Sequence, residues 1–138
     1  MSRAPNRGDP ARHALLLVLT AILACADPPA PEAEGLWGGP VASLSLSRAG
    51  GALAYSCGAG TIDSMWTLSR EGRFTATGKH FFGGGPVPPE GHPPHPARYT
   101  GRIDGSVMIL TITVTDLVQT LGPFRLVRNG PVVRELCV

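Results

Sequence analysis

From residue 35 onward, apolar side chains return at every second position rather than every third or fourth. Ala42, Leu44 and Leu46 alternate with Ser43, Ser45 and Ser47, and Leu53, Tyr55 and Cys57 alternate with Ala52, Ala54 and Ser56. A period of two puts one row of side chains on each face of a strand, so it dictates half-buried β-structure and excludes an amphipathic helix. Gly-rich breaks punctuate the alternation. Gly50-Gly51, Gly58-Ala59-Gly60, Glu71-Gly72, Asp104-Gly105 and Asn129-Gly130 separate the runs. Asp-Gly and Asn-Gly between alternating runs are hairpin signals, because a type I′ turn needs positive φ at both central residues.

These breaks delimit about eight strands. Gly35 opens the first. Ile62 to Leu68 reads as one strand with Ile62, Trp66 and Leu68 on one side, and Phe74 to Phe82 as the next. Tyr99 to Ile103 leads through Asp104-Gly105 into Ser106 to Thr115, which is rich in Val, Ile and Thr. Phe124 to Arg128 and Val132 to Val138 read as a terminal hairpin. No crossover helix fits between the runs, so the sheet is expected to be antiparallel and meandering. Eight such strands can close on themselves and remove the exposed edges. The expected fold is all-β, a small antiparallel up-and-down barrel, with a two-sheet β-sandwich as the alternative.

The formal charge of +2 belongs to the N-terminus. Of 12 Lys/Arg and 10 Asp/Glu, residues 1–24 hold Arg3, Arg7, Arg12 and Asp9, which leaves nine of each sign in the remainder. No run of basic residues survives there, and Lys79 is the only lysine. Nucleic acid is therefore not an expected partner, and neither is a membrane surface bound through a polybasic run.

Residues 14–24 form an apolar stretch too short to span a bilayer as a permanent helix but of the size of a signal-peptide core. The stretch ends in Ile22-Leu23-Ala24-Cys25. This resembles the lipobox of bacterial lipoproteins, in which a diacylglycerol thioether forms on the cysteine and the signal is cut before it. The resemblance implies an export signal at 1–24, lipidation of Cys25, a membrane anchor through that lipid, and a domain in the cell envelope facing the periplasm or the exterior. An ordinary secretory signal cut near Ala24 or Ala26 is the alternative. Residues 25–34 carry three prolines and few apolar side chains, so they read as a tether. The β-domain is then 35–138.

Gly35-Leu36-Trp37 at the start of the first strand resembles the Gly-x-Trp motif of the lipocalin-like barrels. In that superfamily a basic residue from the last strand packs over the tryptophan. The resemblance implies Arg134 for this role, with Arg128 second.

Cys57 and Cys137 remain once Cys25 is lipidated. In an oxidising compartment they are expected to form a disulfide closing an 80-residue span, worth on the order of 4 kcal/mol by the chain-entropy model. Two buried free thiols, or Cys25 paired with one of the two, are the alternatives.

The Gly/Pro/His-rich insert 83–96 is not expected to form strand. In polyproline II, with three residues per turn, His92 and His95 would share a face. His80 and Glu90 lie nearby in sequence. Imidazoles with a carboxylate suit zinc or copper, so His80, His92 and His95 are a candidate metal set beside the simpler reading of a solvated loop.

No nucleophile elbow, zincin helix or phosphate loop occurs in the sequence, so neither an enzyme nor a bound cofactor is expected. Tyr55-Ser56-Cys57, Ala97-Arg98-Tyr99 and a cysteine near the C-terminus resemble the layout of membrane-bound bacterial inhibitors of C-type lysozyme. That resemblance implies a barrel lipoprotein with Arg98 and Tyr99 at an inhibitory surface. Ser-Gly before Ala-Arg-Tyr is replaced by His95-Pro96 here, and the downstream Trp-x-Lys-Gly is missing. The leading functional expectation is a membrane-displayed binding module, with Trp37, Arg98, Tyr99 and Arg134 as candidate interaction residues and a protein or small apolar ligand as the partner. A lysozyme-type inhibitor and a metal-binding protein are the alternatives.

Overall fold

A computed structural model describes residues 31–83 and 91–132. The strands are β1 (Gly35–Gly38), β2 (Ala42–Ser47), β3 (Gly50–Tyr55), β4 (Gly58–Ile62), β5 (Thr67–Leu68), β6 (Arg73–Phe82), β7 (His95–Asp104), β8 (Val107–Val114) and β9 (Gln119–Arg128). No helix occurs among the described residues. The strands pair antiparallel in the ring β4-β3-β2-β1-β9-β8-β7-β6, and β4 pairs with β6 to close it. Eight strands thus make a closed barrel. The two-residue β5 is an addition, pairing with the part of β6 that runs beyond the end of β4.

Alternation carries through into burial. Ala42, Leu44, Leu46, Leu53, Phe74, Ala76, Tyr99, Ile103, Met108, Leu110, Ile112, Val114 and Leu126 point inward and are buried. The Ser, Thr and Arg residues between them face outward. Met108, Leu110, Ile112 and Val114 are fully enclosed, as the Val/Ile/Thr richness of this strand predicts.

Several strand boundaries differ from the sequence reading. Gly58-Ala59-Gly60 is the start of β4, not a break, and the chain reverses one step earlier at Ser56-Cys57. The reason is volume inside the barrel. A Cβ on Gly58 would lie 2.2 Å from the Tyr55 ring, and one on Gly60 would lie 2.1 Å from the Tyr99 hydroxyl oxygen. These glycines make room for two tyrosines, the use of strand glycine that composition cannot distinguish from a turn. In turn, Ile62 to Leu68 is not one strand. β4 ends at Ile62, residues 63–66 leave the sheet, and only Thr67–Leu68 return to it.

At the other end, β9 begins at Gln119, five residues before the expected Phe124. A register shift against β8 falls between Leu110 and Ile112, opposite Gly122-Pro123. Asn129-Gly130 does turn the chain, through a Gly130 N–H to Val127 carbonyl bond. The expected partner strand does not follow among the described residues, since Pro131 and Val132 are outside any strand. Its remainder, residues 133–138, lies outside the described residues. Likewise β7 starts inside the supposed loop, at His95-Pro96.

The barrel has two unlike ends. At the base lie the β2–β3 turn, the β4–β6 connection and the β7–β8 turn. The N-terminal residues 31–34 also lie here, and Ala33 is buried with its carbonyl accepting the Trp37 indole N–H at 2.8 Å. The fold therefore takes hold before residue 35. At the mouth lie the β1–β2 turn, the β3–β4 turn, the β8–β9 turn, and the end of β6 beside the start of β7.

Candidate functional site

The base is closed by Trp37 and Arg128. Trp37 lies opposite Arg128 across β1 and β9, is buried, and has the Arg128 guanidinium carbon 4.3 Å from its ring centroid. The same guanidinium donates to the carbonyls of Glu34 at 2.7 Å and Glu32 at 2.6 Å. Arg128, the second candidate, thus covers the tryptophan. Arg134, the first, lies outside the described residues. Trp37 itself is enclosed by its own barrel.

The interior is filled. Trp37, Tyr99, Phe74, Leu44, Leu53, Met108, Leu110, Ile112, Leu126, His80 and Val114 each retain less than 2 % of their surface. An eight-stranded barrel is just wide enough for side chains to fill, and these pack into one core cluster.

Towards the mouth the filling turns polar and aromatic. His80 points inward from β6 and is fully buried. Its Nε2 is 2.8 Å from the Tyr55 hydroxyl, and the two rings stack with centroids 5.6 Å apart. Phe82 packs edge-on against His80 at 4.4 Å and against His95 at 5.4 Å. Phe124 closes on Tyr55 from β9 at 5.4 Å. The His80 Nδ1 has no partner among the described residues. Burial drives the His80 pKa down, and the neighbouring His95 adds to this, so the imidazole is held neutral. Burial likewise raises the pKa of Tyr55 and, more strongly, of Tyr99, whose hydroxyl donates to the Lys79 carbonyl at 2.7 Å.

Outside this plug, His95 Nδ1 meets Asp116 Oδ2 at 2.8 Å, tying the start of β7 to the β8–β9 turn. The tip of that turn exposes Leu117 and Val118. Val118 is 89 % exposed and sits at φ 51°, a left-handed conformation that a β-branched residue adopts only with strain.

The candidate metal set is not assembled. His80 and His95 are direct cross-strand partners, but among the described residues no three of His, Cys, Asp and Glu form a group that could hold a metal ion. Glu90 lies outside the described residues. His80 is engaged by Tyr55 and His95 by Asp116 instead.

The Arg98-Tyr99 pair is split by strand alternation. Arg98 faces outward and is exposed, whereas Tyr99 is completely buried in the core. Tyr99 therefore offers no outward surface, and the two side chains do not stand together on the wall. A groove of about 400 Å³ lies on the outer face of β1–β3, bordered by Leu36, Ser45, Ala52, Ala54 and Val132. Cys57, in the adjoining turn, has φ 64°. Cys25 and Cys137 lie outside the described residues.

Asp116, Leu117, Val118 and Phe124 were not singled out by the sequence. The inward phase of His80 was legible, since it alternates with Phe74, Ala76 and Gly78. The mouth cluster as a whole was not, because it gathers side chains from β3, β6, β7 and β9.

No family model, no curated protein and no solved structure matches this chain. Fold and site geometry therefore carry the functional reading.

Proposed function

We propose that this chain is an exported, lipid-anchored protein of the bacterial cell envelope that works as a binding module, engaging a protein partner at the rim of its mouth. One observation carries the reading: the barrel is packed with its own side chains, while Leu117 and Val118 stand exposed on a strained turn at the mouth. A filled interior leaves no room for the apolar ligand of a carrier, so binding belongs on the outer surface. Exposed apolar side chains held in an unfavourable backbone conformation point to an interaction site rather than a folding role. Enzymatic chemistry is not part of the proposal.

The geometry of the tether supports it. Pro31 to Glu34 cross the base, where Arg128 holds the carbonyls of Glu32 and Glu34. A lipid on Cys25, six residues before Pro31, would keep the base towards the membrane and turn the mouth away from it. A Cys57–Cys137 disulfide belongs to the same proposal. Val132 borders the outer groove, Ala54 on its far side is three residues from Cys57, and the five residues from Val132 to Cys137 reach about 17 Å when extended.

The inhibitor alternative retains Arg98 but loses Tyr99, and no observation favours it over a general protein-binding rim. The test is site-specific photocrosslinking in cells that make the full chain. A crosslinker at Leu117 is expected to give a discrete protein adduct, whereas one at Ala59, on the outer wall of β4, gives none. Equal labelling from both positions, or none from Leu117, contradicts the reading.

A further inference from the structure

The sheet register gathers basic residues that the sequence scatters. Arg73 lies opposite Arg102, Arg102 opposite Ile109, and Ile109 opposite Arg125. All four side chains face outward and are exposed. They form one row across β6, β7, β8 and β9, three strand spacings or about 14 Å long. Arg70 stands in the turn before Arg73.

The row brings like charges together. Like charges directly opposite each other in a sheet are destabilising. The ion pairs among the described residues are Arg48 with Glu34 and His95 with Asp116, and neither includes a residue of the row. Two acidic side chains are nearby. Glu71 lies in the turn before Arg73, its pKa lowered first by hydrogen bonds to its own backbone and to Ser69 and only then by Arg73, and Asp104 follows Arg102 on the same face. The outer wall of β1–β4 differs entirely. Its outward positions are Leu36, Ser43, Ser45, Ala52, Ala54, Ala59 and Thr61, without a charge. Charge is thus concentrated on one side of the barrel.

Position says what the row meets. Arg73 is the first residue of β6, Arg102 is two residues from the end of β7, and Arg125 is three from the end of β9. All three lie in the base half. Arg128, three residues beyond Arg125 at the end of β9, holds Glu32 and Glu34 of the entering chain. Guanidinium forks match phosphate oxygens two at a time, and Ile109 puts an apolar contact between two of them.

We propose that Arg73, Arg102 and Arg125 bind the phosphates of anionic phospholipid headgroups and hold the base end of the β6–β9 wall at the membrane, with the mouth still turned away. The proposal rests on the membrane-tethered reading above, and it differs from the sequence expectation, which set aside a membrane surface bound through a polybasic run.

The test removes the lipid and keeps the protein. The chain from residue 25 with Cys25→Ser is sedimented with vesicles of phosphatidylcholine alone and of phosphatidylcholine with 30 % phosphatidylglycerol. Binding is expected to the anionic vesicles only, to weaken with salt, and to fall on the order of a hundredfold in Arg73→Gln/Arg102→Gln/Arg125→Gln. Lys79→Gln, outward in the mouth half, keeps the parent affinity. The substitutions are at exposed positions, and an unchanged near-UV spectrum verifies the fold. Four results overturn the proposal: no binding by the parent, equal binding by the triple variant, release by millimolar inorganic phosphate alone, or tighter binding to an RNA duplex than to the vesicles. None of these bears on lipidation of Cys25, which is read separately from the mass of the mature protein.

Discussion

The Arg128 guanidinium lies 4.3 Å over the Trp37 ring and donates to two carbonyls of the entering chain, so one side chain joins the last strand, the first strand and the N-terminal segment. The cation–π contact is worth roughly 0.5–2 kcal/mol, and the charged hydrogen bonds add to it. Arg128→Ala is expected to lower stability by about 2–3 kcal/mol in urea unfolding and to shift Trp fluorescence to the red as water reaches the base. Arg128→Lys restores only part, because an ammonium keeps the charge without the two-pronged fork. An unshifted midpoint in Arg128→Ala would show that the base is held by other contacts.

Gly60 and Tyr99 give a sharper test of the interior. An alanine Cβ at 60 would lie 2.1 Å from the Tyr99 hydroxyl oxygen, so Gly60→Ala overpacks the core and is expected to cost about 1–3 kcal/mol. Tyr99→Phe removes that oxygen. In a double-mutant cycle the pair Gly60→Ala/Tyr99→Phe should therefore lose less than the sum of the singles. Strict additivity would mean that the two residues do not face each other across the barrel.

His80 makes stability depend on pH. Its folded pKa is below the ordinary 6.5, so the unfolded chain takes up the proton first. Its contribution is complete above pH 6.5 and is lost as pH falls through the window between 6.5 and the lowered folded value. Thermal unfolding should show a lower Tm at pH 5 than at pH 7.5. His80→Gln, which keeps a hydrogen-bonding group for Tyr55 but does not titrate, should flatten that difference. An identical slope in parent and variant would place the pH dependence elsewhere.

Val118 separates folding from binding. Its left-handed conformation costs of the order of 1–3 kcal/mol, and asparagine adopts it more readily. Val118→Asn is expected to raise Tm while weakening the photocrosslinked adduct formed from Leu117. A variant that is less stable, or stabilised with its adduct intact, would remove Val118 from the proposed contact.

Much of this fold was legible because period-two alternation maps directly onto a barrel wall. Ala42, Leu44 and Leu46 and then Met108, Leu110, Ile112 and Val114 are buried as the pattern requires. The errors have a common cause. Gly58 and Gly60 read as a turn because one sequence cannot reveal that Tyr55 and Tyr99 occupy the space their side chains would fill. Arg98 and Tyr99 read as a unit because they are adjacent, yet adjacency in a strand means opposite faces. The arginine row is invisible for the converse reason: Arg73, Arg102 and Arg125 are far apart in sequence and are aligned only by register.

The intact mass of the mature protein, extracted from membranes and measured without reduction under native conditions, tests the central claim most directly. A lipid-anchored module with a filled barrel and a Cys57–Cys137 bond predicts a chain beginning at Cys25, carrying the mass of a diacylglycerol, with two hydrogens fewer than the reduced form and no co-purified apolar ligand. A chain that retains residues 1–24, or begins at Ala26 without lipid, or carries a bound apolar molecule inside the barrel, would contradict it.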